Sequence, residues 1–503
     1  MKTDTPSQTA FGQAFHRRLE YSRGGVALAL NLGICTIAGL AFIFVGKLEP
    51  QILILLGTAL CLLSLVHQVI IGANLILLYR LFLIGSFGLL AVPQLVLFPN
   101  ISLSPTMVEF QTLENGAVVA LMSALAMGAT GIAWVLVMSG YRNVPRHTLF
   151  VPPKLTLQQL FLALGTLFCL IQASTSSVVL LGSFDYGNSS TSDTQFLSIN
   201  TWGFAGLACY LNLLILELRN PLRLTLRRCC LMIFIIGILL YCFVLRGFRS
   251  EFVTFFATAT MLHWQFRNRG VVTLRYVTCL AFMILFLGAF TLLLGAVRGA
   301  EDAGTAKRKA LQSLMPTAKS NDATTGVDVT SLDWLPNIGS ATLVMCVVGL
   351  HNENAYDYMW GSTLLDRLRN TLPRSINPFR TDDLAMIYDS RFNVTSTGGM
   401  PELAEAYLNF GPAGAFLLPG FISCVMFLFY RRALERDNLQ SWALFGSILM
   451  SIVYSNLYGI GHVYKAGLTG VLINIFIFLI YNIFMAKDST TEAAQRRFFR
   501  SNR

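Results

Sequence analysis

The sequence predicts an all-α protein, a polytopic bundle of about twelve transmembrane helices with one large loop between the ninth and tenth. Three observations predict it. The 503 residues are 54% hydrophobic and only 13% charged, against roughly 45 to 50% and 25% in soluble domains. Runs such as 25 to 46 and 276 to 296 are continuously apolar and long enough to cross a hydrocarbon slab that takes about 20 helical residues. The basic residues gather between those runs rather than within them. A closed barrel, the other spanning solution, needs short alternating strands that the chain does not offer.

The elements follow in order. Residues 1–24 form a basic N-terminus with Arg17, Arg18 and Arg23. The first run ends at Gly46-Lys47 without a small-residue cleavage site and reads as a signal anchor. Residues 25–296 hold nine spans, near 25 to 46, 51 to 71, 81 to 98, 116 to 138, 157 to 180, 199 to 217, 229 to 245, 252 to 264 and 276 to 296. Tyr79-Arg80 separates the second from the third. Residues 297–410 form the large loop, 411–486 the last three spans (411 to 430, 441 to 457, 467 to 485), and 487–503 a basic tail.

The Lys/Arg bias of short loops sets orientation. The stretches around Arg146, from Arg219 to Arg228, from Arg267 to Arg275 and from Arg431 to Arg436 fall on one side, with both termini, whereas the loops at 99 to 115 and 182 to 198 have no Lys or Arg. That side is expected to be cytoplasmic. The net charge of +11 therefore reads as a topology signal, with no nucleic-acid partner implied. The ten cysteines, Cys229 and Cys230 included, lie in or beside apolar runs and read as buried thiols.

A loop of this length in so economical a chain is expected to be functional. Short helices are expected from Ala306, Ser362 and Pro401, and the apolar stretch Ile338 to Leu350 is expected at the interface or folded back into the bundle. No internal repeat is visible.

Three constellations carry possible chemistry. RGFRSE (246 to 251) makes a minimal outer turn in which Arg246 and Arg249 sit at the membrane edge. Guanidinium forks suit phosphate oxygens, but snorkelling arginines with Arg249 paired to Glu251 fit equally well. In the large loop Arg298 closes an apolar span and can join that pair around one anion, and Arg367, Arg369, Arg374 and Arg380 can do so from above; for any one of these four, a salt-bridged helix surface is the simpler account. In PELAEAYLNFGPAG, helical spacing from Pro401 puts Glu402, Glu405 and Asn409 on one face. A carboxylate there is placed to pair with arginine or to act as a general base, and a solvated helix-capping role suits Glu402 better than Glu405. His351 and His462 have no second metal ligand at a useful spacing, and no metal or other cofactor is expected. With no Walker motif, ATP-driven chemistry is unsupported.

The chain resembles the Wzy family of inner-membrane polymerases, which join lipid-linked oligosaccharide repeats into O-antigen, enterobacterial common antigen and similar surface polysaccharides. Three stretches carry the resemblance: Gly247-Phe248-Arg249-Ser250, YMWGSTLLDRLRNTLPRSINPF from Tyr358, and LAEAYLNFGPAG from Leu403 to Gly414. The last is similar to the family's glutamate-tyrosine-asparagine-phenylalanine-glycine entry into the next helix. The resemblance implies a GT-C-like bundle in the bacterial inner membrane, with its active site facing the periplasm. It implies transfer of a growing glycan from undecaprenyl pyrophosphate onto an incoming lipid-linked repeat, without metal, in the company of membrane lipids, a flippase and a Wzz-type chain-length regulator. Arg249, Arg246 and Arg298 would then stabilise the pyrophosphate, and Glu405, or failing it His462, would take the acceptor proton. Tyr358, Tyr407 and Asn409 would bind sugars, and His462 and Lys465 match the basic residue of a late outer turn. An O-antigen ligase and a transporter or flippase are the alternatives; spans nearly free of charge speak against the latter.

Overall fold

The computed structural model describes residues 7–70, 74–98, 103, 108–139, 155–175, 199–219, 226–244, 249–268, 336–369, 400–460 and 463–481, for some of them the backbone alone. Among these residues the protein is helical and contains no strand. The helices are α1 (Ser7–Phe42), α2 (Pro50–Ile70), α3 (Leu75–Ser86), α4 (Leu113–Met138), α5 (Leu155–Thr175), α6 (Ile199–Arg219), α7 (Leu226–Leu239), α8 (Arg249–Asn268), α9 (Pro336–Asn352), α10 (Ser362–Arg369), α11 (Glu402–Arg436), α12 (Leu439–Tyr458) and the apolar α13 (Ala466–Tyr481). Among the described residues six stretches are long and apolar enough to cross a membrane: Gly24–Phe42, Pro50–Ile70, Leu75–Leu97, Leu113–Met138, Leu157–Ser174 and Glu402–Arg436. Five shorter apolar helices, in α6, α7, α9, α12 and α13, accompany them. The expected span at 276 to 296 lies outside the described residues.

Side-chain distribution explains why these helices need lipid. Val26, Ile37 and Leu40 on α1, Ile52, Leu55 and Leu62 on α2, and Leu417, Phe421 and Leu428 on α11 are exposed. Water would penalise so many bare aliphatic faces, whereas a hydrocarbon solvent does not. The opposite faces converge on α4, which is buried along most of its length and packs against α1, α2, α3, α9 and α11. Thr112 caps α4, accepting from Asn115 N at 3.2 Å, and satisfies one of the amides that a helix start leaves free. A second group joins α6 to α5, α8 and α12.

Three expectations change. Arg80 does not separate two spans: Asn74 caps α3 by accepting from Ile76 N, so the helix begins earlier and Arg80 lies within it, 1% exposed. The stretch around Ile338 to Leu350 takes the second of its two expected places, folded back into the bundle, where residues 341–350 of α9 are all buried. The segment expected to span at 252 to 264 lies in α8, which is not among the apolar helices and buries Glu251, Thr254, Thr258 and Gln265. Among the described cysteines five are buried, but Cys230 is exposed, which corrects the uniform expectation of buried thiols. The helices expected from Ser362 and Pro401 are present as α10 and the start of α11, and the one expected from Ala306 lies outside the described residues.

The feature that positions the site is a sharp reversal in α11. Gly411 adopts φ 60°, ψ −147°, outside the helical region, a conformation open mainly to glycine, and Pro412 follows with no amide to donate. One guanidinium shows how far the chain turns. Arg80 donates to Glu402 (Nη2 to Oε1 2.6 Å, Nη1 to Oε2 3.0 Å) and from Nε to Ser423 Oγ at 3.1 Å. Along an unbroken helix, at about 1.5 Å per residue, Glu402 and Ser423 would lie roughly 30 Å apart. Residues 402–410 therefore fold back beside 412–436 as a helical hairpin, and a methyl group on Gly414 would overlap the Ala406 carbonyl.

Candidate functional site

The short limb of the hairpin carries Glu405, Tyr407 and Asn409. Two distant segments close on it. The first is residues 358–363, bound edge to edge: Met359 N donates to Leu408 O at 3.1 Å, Trp360 N to Asn409 O at 3.0 Å, and Gly361 N to Asn409 Oδ1 at 2.9 Å. Asn409 in turn donates from Nδ2 to Thr363 Oγ1 at 2.6 Å and to the Glu405 carbonyl at 2.8 Å. The second segment is the turn after α12, where Ile460 N donates to Glu405 Oε2 at 3.0 Å. Gly459, at φ 89°, lies against the Met400 carbonyl, and a side chain there would crowd both it and the Glu405 carboxylate.

Glu405 is therefore held, 0% exposed, by a backbone amide on one oxygen, while Thr363 Oγ1 stands 3.5 Å from the other. A carboxylate fixed by amide and hydroxyl donors in a dry setting is oriented to accept one further proton or hydrogen bond. Burial first, and the charge of Glu405 second, hold the Tyr464 phenol in the same late turn above its ordinary range. Beside this core stands an aromatic wall. His351 stacks on Tyr358 with centroids 4.2 Å apart, and Tyr407 meets both rings edge-on at 5.9 and 6.0 Å. His351 Nδ1 also lies 3.2 Å from the Tyr356 carbonyl, so that nitrogen carries the proton and the ring is locked.

Several expected roles take a different form here. Glu402 is not a solvated cap but half of a buried ion pair with Arg80, both side chains 1% exposed. Glu405 is not at an open edge but 0% exposed, with Ile460 N and Thr363 Oγ1 among the groups that approach its carboxylate. Tyr407 and Asn409, expected to reach sugars, are buried; Tyr407 packs in the aromatic wall and Asn409 is bonded to Thr363 and the Glu405 carbonyl. Tyr358 is half-buried between His351 and Gly411. Arg249 opens α8, Arg367 lies in α10 and Lys465 in the π-helical turn Val463–Leu468, but their side chains lie outside the described residues, as do Arg246, Arg298, Arg374, Arg380 and His462 entirely.

Arg80, Thr363 and the Ile460 amide escaped the sequence reading. Arg80 had a signal, a charge next to an apolar run without a charged neighbour; Thr363 and a backbone amide had none. Helical spans around a buried ionic hairpin define an integral membrane protein with a polar interior site. No protein-family model, curated protein or solved structure matches the chain.

Proposed function

We propose that the chain is a polymerase of lipid-linked oligosaccharide repeats, a multi-pass protein of the bacterial inner membrane with about twelve spans, both termini cytoplasmic and its site on the periplasmic side. One observation carries the reading. The two stretches that resemble the polymerase family in the large loop, from Tyr358 and from Leu403, are bonded backbone to backbone, and the late turn that bears His462 and Lys465 joins them through Ile460 and Glu405. That these separate stretches meet at one place supports a shared site.

In this mechanism the acceptor hydroxyl oxygen bonds to the anomeric carbon of the growing chain as the bond from that carbon to the pyrophosphate oxygen breaks. Undecaprenyl pyrophosphate leaves with the electron pair, its charge met by Arg249, Arg246 and Arg298. The hydroxyl proton passes to Glu405, with His462 as the second candidate. Because Glu405 is covered, segment 358–363 or the backbone at Gly459 and Ile460 must move for the acceptor to reach it.

A second reading has an observation of its own. A buried Arg80–Glu402 pair inside the bundle is a feature that transporters and flippases use along substrate paths, and it weakens the argument from charge-free spans. Deletion separates the readings. Without a polymerase, single repeats remain attached at the cell surface; without a ligase, lipid-linked polymer accumulates outside and none is attached; without a flippase, the repeats stay inside. We expect single repeats.

Orientation is tested separately. With the native cysteines removed, a cysteine at Ser320 should react with an impermeant maleimide in intact spheroplasts and one at Asn220 should not; the reverse pattern would move every proposed group to the wrong side.

A further inference from the structure

The aromatic wall runs on, from Tyr358 to Trp360 edge-on at 6.5 Å. Trp360 differs from the rest of the wall in two ways. Its side chain is 77% exposed although its backbone is bonded to the buried hairpin. It also sits at φ 47°, followed by Gly361 at φ 86°, and a bulky side chain rarely adopts the left-handed region. Among the described residues the other non-glycine positions there are Asn354 and Asp437, residue types that tolerate it. The turn itself would be better made by glycine or asparagine, so the exposed indole adds nothing to the turn and is free to meet a ligand.

From this we propose that Trp360 is a stacking platform for a sugar ring of the glycan, a subsite beside the Glu405 and Asn409 cluster. The inference rests on the polymerase reading for the identity of the glycan, but not for the existence of the subsite. A pyranose presents a flat face of C–H groups to an indole and hydroxyls at its rim. The chain around Trp360 supplies exposed Glu353, Asn354, Asp357 and Ser362, which suit hydroxyl donors and acceptors. Two carboxylates there repel an anionic headgroup surface, so a neutral, hydroxyl-rich ligand fits better than lipid. The apolar exposure of Leu365 and Leu368 belongs to α10, the next element along. Through Gly361 N and Asn409 Oδ1, a ring resting on Trp360 is tied to the segment that covers Glu405.

The test uses the full chain in nanodiscs and, as probe, oligosaccharides of a few repeats released by mild acid from the surface polysaccharide of the cells that encode it. Trp360→Asn removes the ring and suits the backbone. It should melt no lower than the wild type yet bind the probe about five- to tenfold more weakly. Trp360→Phe keeps a flat face and should stay within about threefold, whereas Trp360→Leu should behave like the asparagine variant. A wild type that does not bind the probe, or an asparagine variant that binds it equally well, overturns the subsite. A leucine variant as good as phenylalanine does so too, because it assigns the side chain to a lipid contact. If cells lacking the chain still make full-length polysaccharide while the purified protein shows the expected binding series, the polymerase reading fails and the subsite stands.

Discussion

Arg80→Leu is expected to destabilise the protein by about 3 to 5 kcal/mol, the cost of leaving a buried carboxylate without its partner. The pair is bidentate, both members are 1% exposed, and the third guanidinium bond reaches Ser423, which lies 3.1 Å from Thr130 on α4. One side chain therefore holds the short limb, the long limb and the central helix together. Thermal melting in detergent and yield from membranes would show the loss. Removing both charges should behave differently, since an ion pair in a low-dielectric interior contributes little beyond what an apolar replacement supplies. Arg80→Leu combined with Glu402→Leu should recover most of the stability, and Arg80→Lys, which keeps the charge but not the fork, should fall between. A single leucine variant that melts with the wild type would show that packing around Gly411, rather than the ion pair, holds the hairpin.

The other large effect is expected at Glu405. Glutamine there keeps an oxygen for the Ile460 amide and an amide group near Thr363, so the fold should be retained. It cannot take a proton. If Glu405 receives the acceptor proton, Glu405→Gln should lower polymer synthesis by about 100-fold or more at unchanged protein level and melting temperature. Glu405→Ala serves as the structural control. It strands the buried Ile460 N–H and should cost about 1 to 3 kcal/mol. A glutamine variant that is stable and fully active removes Glu405 from the chemistry and leaves His462 as the base to examine. A glutamine variant that fails to accumulate assigns the carboxylate to the fold.

That the chain is helical and meets lipid is legible in its composition, because continuous apolar runs of this length are stable as helices in a hydrocarbon solvent. The sequence also marked the element that matters most, since Pro401, the pair Gly411-Pro412 and the carboxylates between them are local signals of backbone conformation and charge. Local signals have a short reach. Arg80 and Glu402 lie 322 positions apart, and nothing near either residue distinguishes a buried partner from a solvated one, so Arg80 read as a boundary and Glu402 as a cap. The contacts of Glu405 with Thr363 and of Asn409 with the Gly361 amide likewise cross from one element to another. The depth at which Glu405 lies depends on the hairpin, because only when residues 402–410 turn back along 412–436 do segment 358–363 and the turn at Ile460 close over it. An apolar face reports that a helix is buried on one side; which polar groups meet there follows from the packing geometry between segments far apart in the chain.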